Sequence, residues 1–214
     1  MRIEKAYKEI FIFVAGTTPQ IITETICALS QKTIPIYPDE IFIITTLTGK
    51  RFIEKQLLDS GILSEMMLEL GLPQIPITEG SFVVPKDANN FEIDDIRSEE
   101  ENELMGNLIT SLVRDKSNDP SSRLHCSIAG GRKTMSFYLG AALQLFGRPQ
   151  DKLYHVLVTP EFELNPSFFY KPKKNRIIQG RGIDGKPKQL NTKNANIELA
   201  ELPFIRLSGK ISFQ

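Results

Sequence analysis

Cysteine is scarce in this chain, and the scarcity is informative. Cys27 and Cys126 are the only two. They form no Cys-x-x-Cys pair and no histidine cluster accompanies them. That excludes a disulfide framework and a structural zinc site, and it makes a reducing cytoplasm the expected compartment. Net charge is also absent, with 26 Lys plus Arg against 26 Asp plus Glu. Global electrostatics therefore supply no affinity for nucleic acid, and no stable DNA binding is expected. No apolar run approaches the roughly 20 residues that span a bilayer, so no membrane association is expected. The Met1-Arg2-Ile3-Glu4-Lys5 start lacks a signal-peptide core. No internal repeat and no low-complexity tract interrupts the chain. No carboxylate pair stands with a matched set of metal ligands, so neither a metal nor a cofactor is expected.

What is present is an ordinary globular mixture, 41% hydrophobic and 24% charged over 214 residues. That suits one domain plus an elaboration. Continuous apolar runs at Glu9–Ala15 and Glu40–Thr46 read as strands buried on both faces. Pro76–Val84, Arg123–Ala129 and Lys152–Thr159 supply three more. Between them lie helical stretches. One runs from about Pro19 to Ser30 with Thr18 as its N-cap. A second starts at Thr48-Gly49-Lys50 and resumes at Ile62–Leu70 after a break at Gly61. A third starts from the capping box Ser98-Glu-Glu-Glu101, with Leu104, Leu108, Ile109 and Leu112 as its apolar face. The fourth runs from about Arg132 to Phe146 and stops at Gly147.

This alternation predicts an α/β, Rossmann-like fold: a doubly wound, mainly parallel sheet with helices on both faces. The core is expected to span residues 1–160. A C-terminal elaboration, 161–214, includes a basic stretch at 171–193, and Ile197–Leu207 adds a strand or packs beneath the sheet. Charge is locally polarised. Glu92 to Glu103 holds seven acids and one Arg, and Lys171 to Lys193 holds eight bases and one Asp. The acidic run reads as a solvated face.

Open parallel sheets bind ligands beyond the carboxyl ends of their strands. Two strand-to-helix turns fit that edge: Gly16-Thr17-Thr18-Pro19-Gln20, and Gly130-Gly131-Arg132-Lys133-Thr134-Met135. Glycine lets a ligand approach the backbone, and a helix N-terminus offers unpaired N–H groups to an anion. Arg132 and Lys133 oppose the helix dipole by roughly 0.3–1 kcal/mol each, which an anion bound there would offset. Thr46, Thr48 and Thr159, at the ends of other strands, complete the candidate ligand contacts. A P-loop is excluded, because Ser127 and Arg132 stand where Walker A requires glycines. No Gly-x-Gly-x-x-Gly follows any of the five strands. His125 and His155, inside strands, read as core histidines.

Four segments in order resemble the CARF proteins of type III CRISPR systems: the two turns above, Val158-Thr-Pro-Glu-Phe-Glu163, and Leu202-Pro-Phe-Ile-Arg-Leu207. The resemblance covers most of residues 8–207. It implies a homodimer with a cyclic oligoadenylate, such as cyclic tetra- or hexa-adenylate, lying across the two-fold axis. Many such proteins add a ribonuclease domain, for which this chain has no room. A CARF protein without one resembles the ring nucleases, which cleave the messenger without metal through attack by the ribose 2′-OH. On that resemblance Lys133 and Arg132 stabilise the phosphorane, and Thr17, Thr18 and Gln20 position the ribose or phosphate. The other reading is a sensor that binds the same ligand uncut and signals to a partner.

Overall fold

The computed structural model describes residues 7–208 apart from 75, 76, 164, 183 and 184. Five strands form a parallel sheet: β1 (Lys8–Val14), β2 (Glu40–Ile44), β3 (Phe82–Val83), β4 (Ser122–Ser127) and β5 (Lys152–Val158). A late strand, β8 (Ile197–Glu201), joins β5 antiparallel, and the order across the sheet is β3-β2-β1-β4-β5-β8. The fold is the expected α/β, Rossmann-like one. From β1 the chain moves outward to β2 and β3, then returns to the other side of β1 for β4. The order therefore reverses between β1 and β4.

Alternation along β1 divides the core. Phe11 and Phe13 face α1 (Gln20–Ser30), α2 (Leu47–Ile53) with its π-helical continuation Glu54–Asp59, and α3 (Ile62–Leu70). Ile10, Ile12 and Val14 face α4 (Glu99–Ser117) and α5 (Lys133–Phe146). Both faces are covered, so β1 is almost wholly apolar. Burying each such side chain contributes about 1.5–3 kcal/mol. No helix among the described residues is long and apolar enough to cross a membrane.

Local expectations fail at four places. The stretch expected as a strand over Pro76–Val84 pairs only at Phe82–Val83; Glu79–Ser81 is a 3-10 turn closed by a bond from the Thr78 amide to the Ser81 hydroxyl, and residues 75 and 76 lie outside the described residues. The buried stripe of α4 is Met105, Ile109 and Val113, shifted from the leucines by one position. Thr18 does not cap α1; Pro19 occupies the cap position and no side chain bonds there. The stretch 171–193 contains an unforeseen hairpin, β6 (Ile177–Arg181) with β7 (Pro187–Asn191). Gly180 near the end of β6, with Gly182 and Gly185 in the turn, makes a Gly-x-Gly-x-x-Gly spacing that enters a strand instead of a helix. Gly185 takes φ +77°, which a side chain would strain.

At the amino ends of the strands a polar cluster ties β1, β4 and β5. Arg123 Nε donates to Glu9 at 2.9 Å, His125 Nε2 lies 2.8 Å from Glu9, and the Tyr154 hydroxyl meets His125 Nδ1 at 3.3 Å. Burial raises the Glu9 carboxyl, yet the bonds from His125 and Arg123 outweigh it and leave it below its usual range. Burial holds His125 below its ordinary value against the pull of Glu9. A neutral imidazole then donates to Glu9 and accepts from Tyr154. Removing the carboxylate strands both partners. Glu9→Ala is expected to cost about 3 kcal/mol in urea unfolding; a loss below about 1 kcal/mol, the range of an exposed pair, would contradict that role.

Candidate functional site

The turns after β1 and β4 meet at the carboxyl rim, where the strand order reverses. They are in backbone contact. A Cβ on Gly130 would stand 3.0 Å from the Val14 carbonyl oxygen, 3.2 Å from Ile21 and 3.4 Å from the Ala15 Cα. A Cβ on Gly16 would lie 3.5 Å from the Gly131 Cα, and one on Gly49 would lie 3.3 Å from the Gly16 carbonyl oxygen. Gly131 has φ +73°, the left-handed region that turns β4 into α5.

These turns wall a cleft of about 300 Å³. Gly16, Thr17, Thr18, Thr46, Thr48, Gly131, Arg132 and Met135 line it, joined by Ala15, Gly49 and Asp95. The starts of α1, α2 and α5 converge here. The first amides of α1 and α5 have no carbonyl of their own helix to bond. Thr46 accepts from the Gly49 amide at 3.3 Å and so caps α2. The Thr17 and Thr18 hydroxyls have no hydrogen-bond partner among the described residues.

The cations are placed unequally. Arg132 is half-exposed, and Asp95 grips it with both carboxylate oxygens, Nη2 donating at 2.8 and 2.6 Å and Nε at 3.1 Å. Lys133 begins α5 beside the cleft, exposed and without an ionic partner among the described residues. Thr134 is exposed outside the lining. Gly130 lies beneath it as the contact between turns. Gln20 is buried; its Nε2 donates to the Asn165 carbonyl at 3.5 Å, and its Oε1 has no partner. Thr159 belongs elsewhere. Its hydroxyl accepts from the Asn196 amide at 2.8 Å, tying β5 to the approach to β8.

Asp95 is the residue that composition concealed. It sits in the acidic run, where Glu92 and Asp95 are largely covered instead of solvated and Asp94 stays exposed as expected. Glu92 lies 3.4 Å from Lys50, Asp94 accepts from Thr48 at 3.1 Å, and Asp95 holds Arg132. The segment is seated because the Leu47 and Thr48 amides donate to the Ile93 and Asp94 carbonyls at 2.9 and 3.2 Å. Gly49 escaped notice as well, although Thr48-Gly49-Lys50 marks a turn at the same rim.

A larger groove, about 490 Å³, opens between the Pro160–Pro166 stretch and the β6–β7 hairpin. Its walls carry Glu161 and Glu163 against Arg181 alone, and they lack a helix start. For an anion the smaller cleft is the better place. Glu24 lies near Glu163, and burial, then the Glu163 charge, lifts its carboxyl to about 8. Arg148 and His155 stand six residues apart, an Arg-x4–6-His ribonuclease spacing. Arg148 is bound to Asp151 at 2.9 Å, however, and His155 sits within β5 opposite Ala200, so the two form no such centre.

Two outcomes follow. Gly131→Ala must adopt positive φ with its Cβ 3.0 Å from the Met135 sulfur, and should lose about 1–2 kcal/mol in thermal or urea unfolding. Gly140→Ala, in the middle of α5 with open space around it, should gain up to about 1 kcal/mol. Equal effects would contradict the turn geometry. Glu24 keeps, in the folded state, a proton that an unfolded glutamate near 4.5 has released. Its stabilising contribution is full below pH 4.5 and is lost as pH rises toward about 8. The stability difference between wild type and Glu24→Gln should follow that slope; parallel pH curves would refute it.

The comparisons with known proteins bear on this rim. A family model described as CRISPR-associated protein NE0113 (Cas_NE0113) matches residues 18–213, which takes in the Thr18 side of the first turn and all of the second. No curated protein matches the chain. On the strength of that near-complete match, the chain belongs to the CRISPR-associated protein NE0113 family.

Proposed function

We propose that the chain binds a cyclic oligoadenylate in the cleft between the β1–α1 and β4–α5 turns, as one half of a homodimeric site. It then cleaves the ring and so switches off type III CRISPR antiviral signalling. One observation carries the reading. Two glycine turns are in backbone contact at the reversal of strand order, where two helix starts and Arg132 border one cleft and Lys133 follows outside its lining as the first residue of α5. Membership of a CRISPR-associated family supports the setting. The resemblance to CARF ring nucleases supplies the ligand.

The chemistry asks little of the protein. A ribose 2′-OH attacks the adjacent phosphorus in line, forming the new P–O2′ bond while the P–O5′ bond breaks. The 2′-OH proton passes to water and the departing 5′ oxygen takes one up. The products are a 2′,3′-cyclic phosphate and a 5′-hydroxyl. The chain's part is to orient the ribose and stabilise charge. Thr17 and Thr18 offer unengaged hydroxyls to the ribose or phosphate. Lys133 brings a mobile point charge to the developing phosphorane, and Arg132 offers a planar fork once Asp95 releases it. A sensor that binds without cutting is the second reading. The neutralisation of Arg132 by Asp95 favours it, since the cleft wall then carries no free cation.

Incubating pure protein with cyclic tetra- and hexa-adenylate in EDTA separates the two. Linear products ending in 2′,3′-cyclic phosphate are expected; intact ring with tight binding would establish the sensor instead. Lys133→Ala should lower turnover at least tenfold while changing Kd less than threefold. Unchanged cleavage would remove Lys133 from the mechanism.

A further inference from the structure

We infer that Asp95 sets which anions the cleft accepts: it occupies the Arg132 guanidinium as an internal anion, which a ligand bearing several phosphates displaces and a single phosphate does not. The inference rests on the reading that Arg132 meets phosphate.

The geometry is that of an occupied anion site. Arg132 Nη2 donates to one Asp95 oxygen at 2.6 Å and Nε donates to the other at 3.1 Å, the bidentate pairing that a phosphate would otherwise make. Asp95 lines the cleft itself, so its carboxylate stands where ligand charge arrives. It is held from both sides. Arg97 Nε donates to its second oxygen at 3.3 Å, and the preceding carbonyls of Ile93 and Asp94 receive the amides that open α2. Immediately after it, Ser98 and Glu101 close the capping box of α4. The carboxylate therefore cannot drift far when it yields the guanidinium.

Neighbouring acids repeat the arrangement. Glu92 counters Lys50 at 3.4 Å, and Asp94 stands 4.0 Å from Arg51. One short segment thus answers three cations of this edge. Asp95 and Arg132 are 29% and 50% exposed, an exposure at which an ion pair is weak enough to exchange. A lone phosphate that displaced Asp95 would exchange one anion for another and then sit beside a carboxylate answered only by the more distant, exposed Arg97. A ligand with further phosphates also engages the amides at the start of α1 and the Lys133 charge, and those contacts offset the repulsion. Multivalency is thereby converted into selectivity.

The test compares wild type, Asp95→Asn, Arg132→Gln and the double variant, with inorganic phosphate, adenosine monophosphate and cyclic tetra-adenylate as probes. Binding is followed by calorimetry and phosphorus NMR. Asp95→Asn should bind phosphate and the mononucleotide at least tenfold tighter than wild type, and the double variant should lose that gain. Arg132→Gln alone should change phosphate binding less than threefold, because its charge is already answered; this arm stands even where Asp95→Asn fails to fold. Unchanged or weaker phosphate binding by folded Asp95→Asn would overturn the inference, as would a large loss of phosphate binding in Arg132→Gln. Tighter phosphate binding by Asp95→Asn with no variant binding cyclic tetra-adenylate would uphold Asp95 and reject the ligand.

Discussion

The Gly130 backbone lies against the Val14 carbonyl and the Ala15 Cα, so close that a Cβ there would stand 3.0 Å from that carbonyl oxygen. From this contact follows the shape of the rim. It brings the end of β1 and the end of β4 together at the one point where the strand order reverses. It brings the N-termini of α1 and α5, which pack on opposite faces of the sheet, to the same rim. It also leaves between the turns the cleft of about 300 Å³. A Cβ there would press on the Val14 carbonyl and Ile21 and would require shifts of a few tenths of an ångström.

The contact holds because the rest of the sheet is locked beneath it. Phe11 and Phe13 on one side, and Ile10, Ile12 and Val14 on the other, leave β1 no freedom to slip, since a one-residue shift would exchange the two faces. At the opposite rim, Glu9, Arg123, His125 and Tyr154 fix the same three strands at their amino ends. The carboxyl rim thus rests on polar clamping at the amino rim. Arg206 extends the clamp by donating to the Arg148 and Asp151 carbonyls at 2.9 Å. This places the Leu202–Leu207 tail among the structural parts of the molecule.

The sheet was legible in the sequence because its central strands are continuous apolar runs, and little but burial on both faces produces such runs. The two glycine turns were legible because strand, glycine and helix start stand in direct succession. The hairpin β6–β7 was not, since β6 merely alternates exposed with half-exposed residues, β7 buries Leu190 alone, and Lys, Gly and Pro mask any strand periodicity. Asp95 was hidden for a different reason. A carboxylate among seven looks like solvent-facing charge until the fold brings an arginine from 37 positions away to meet it. Thr159 was misplaced because the end of β5 is taken by pairing toward β8, a long-range contact that the local pattern does not encode.

The central claim is that both turns act together on one ligand, and amide NMR tests it most directly. Titrating the nitrogen-15-labelled protein with cyclic tetra-adenylate should shift the amides of Gly16, Thr17, Thr18 and Gln20 and of residues 130–135 at the same ligand concentrations and more than any others. Shifts confined to the groove around residues 160–182, or absent from either turn, would contradict the account.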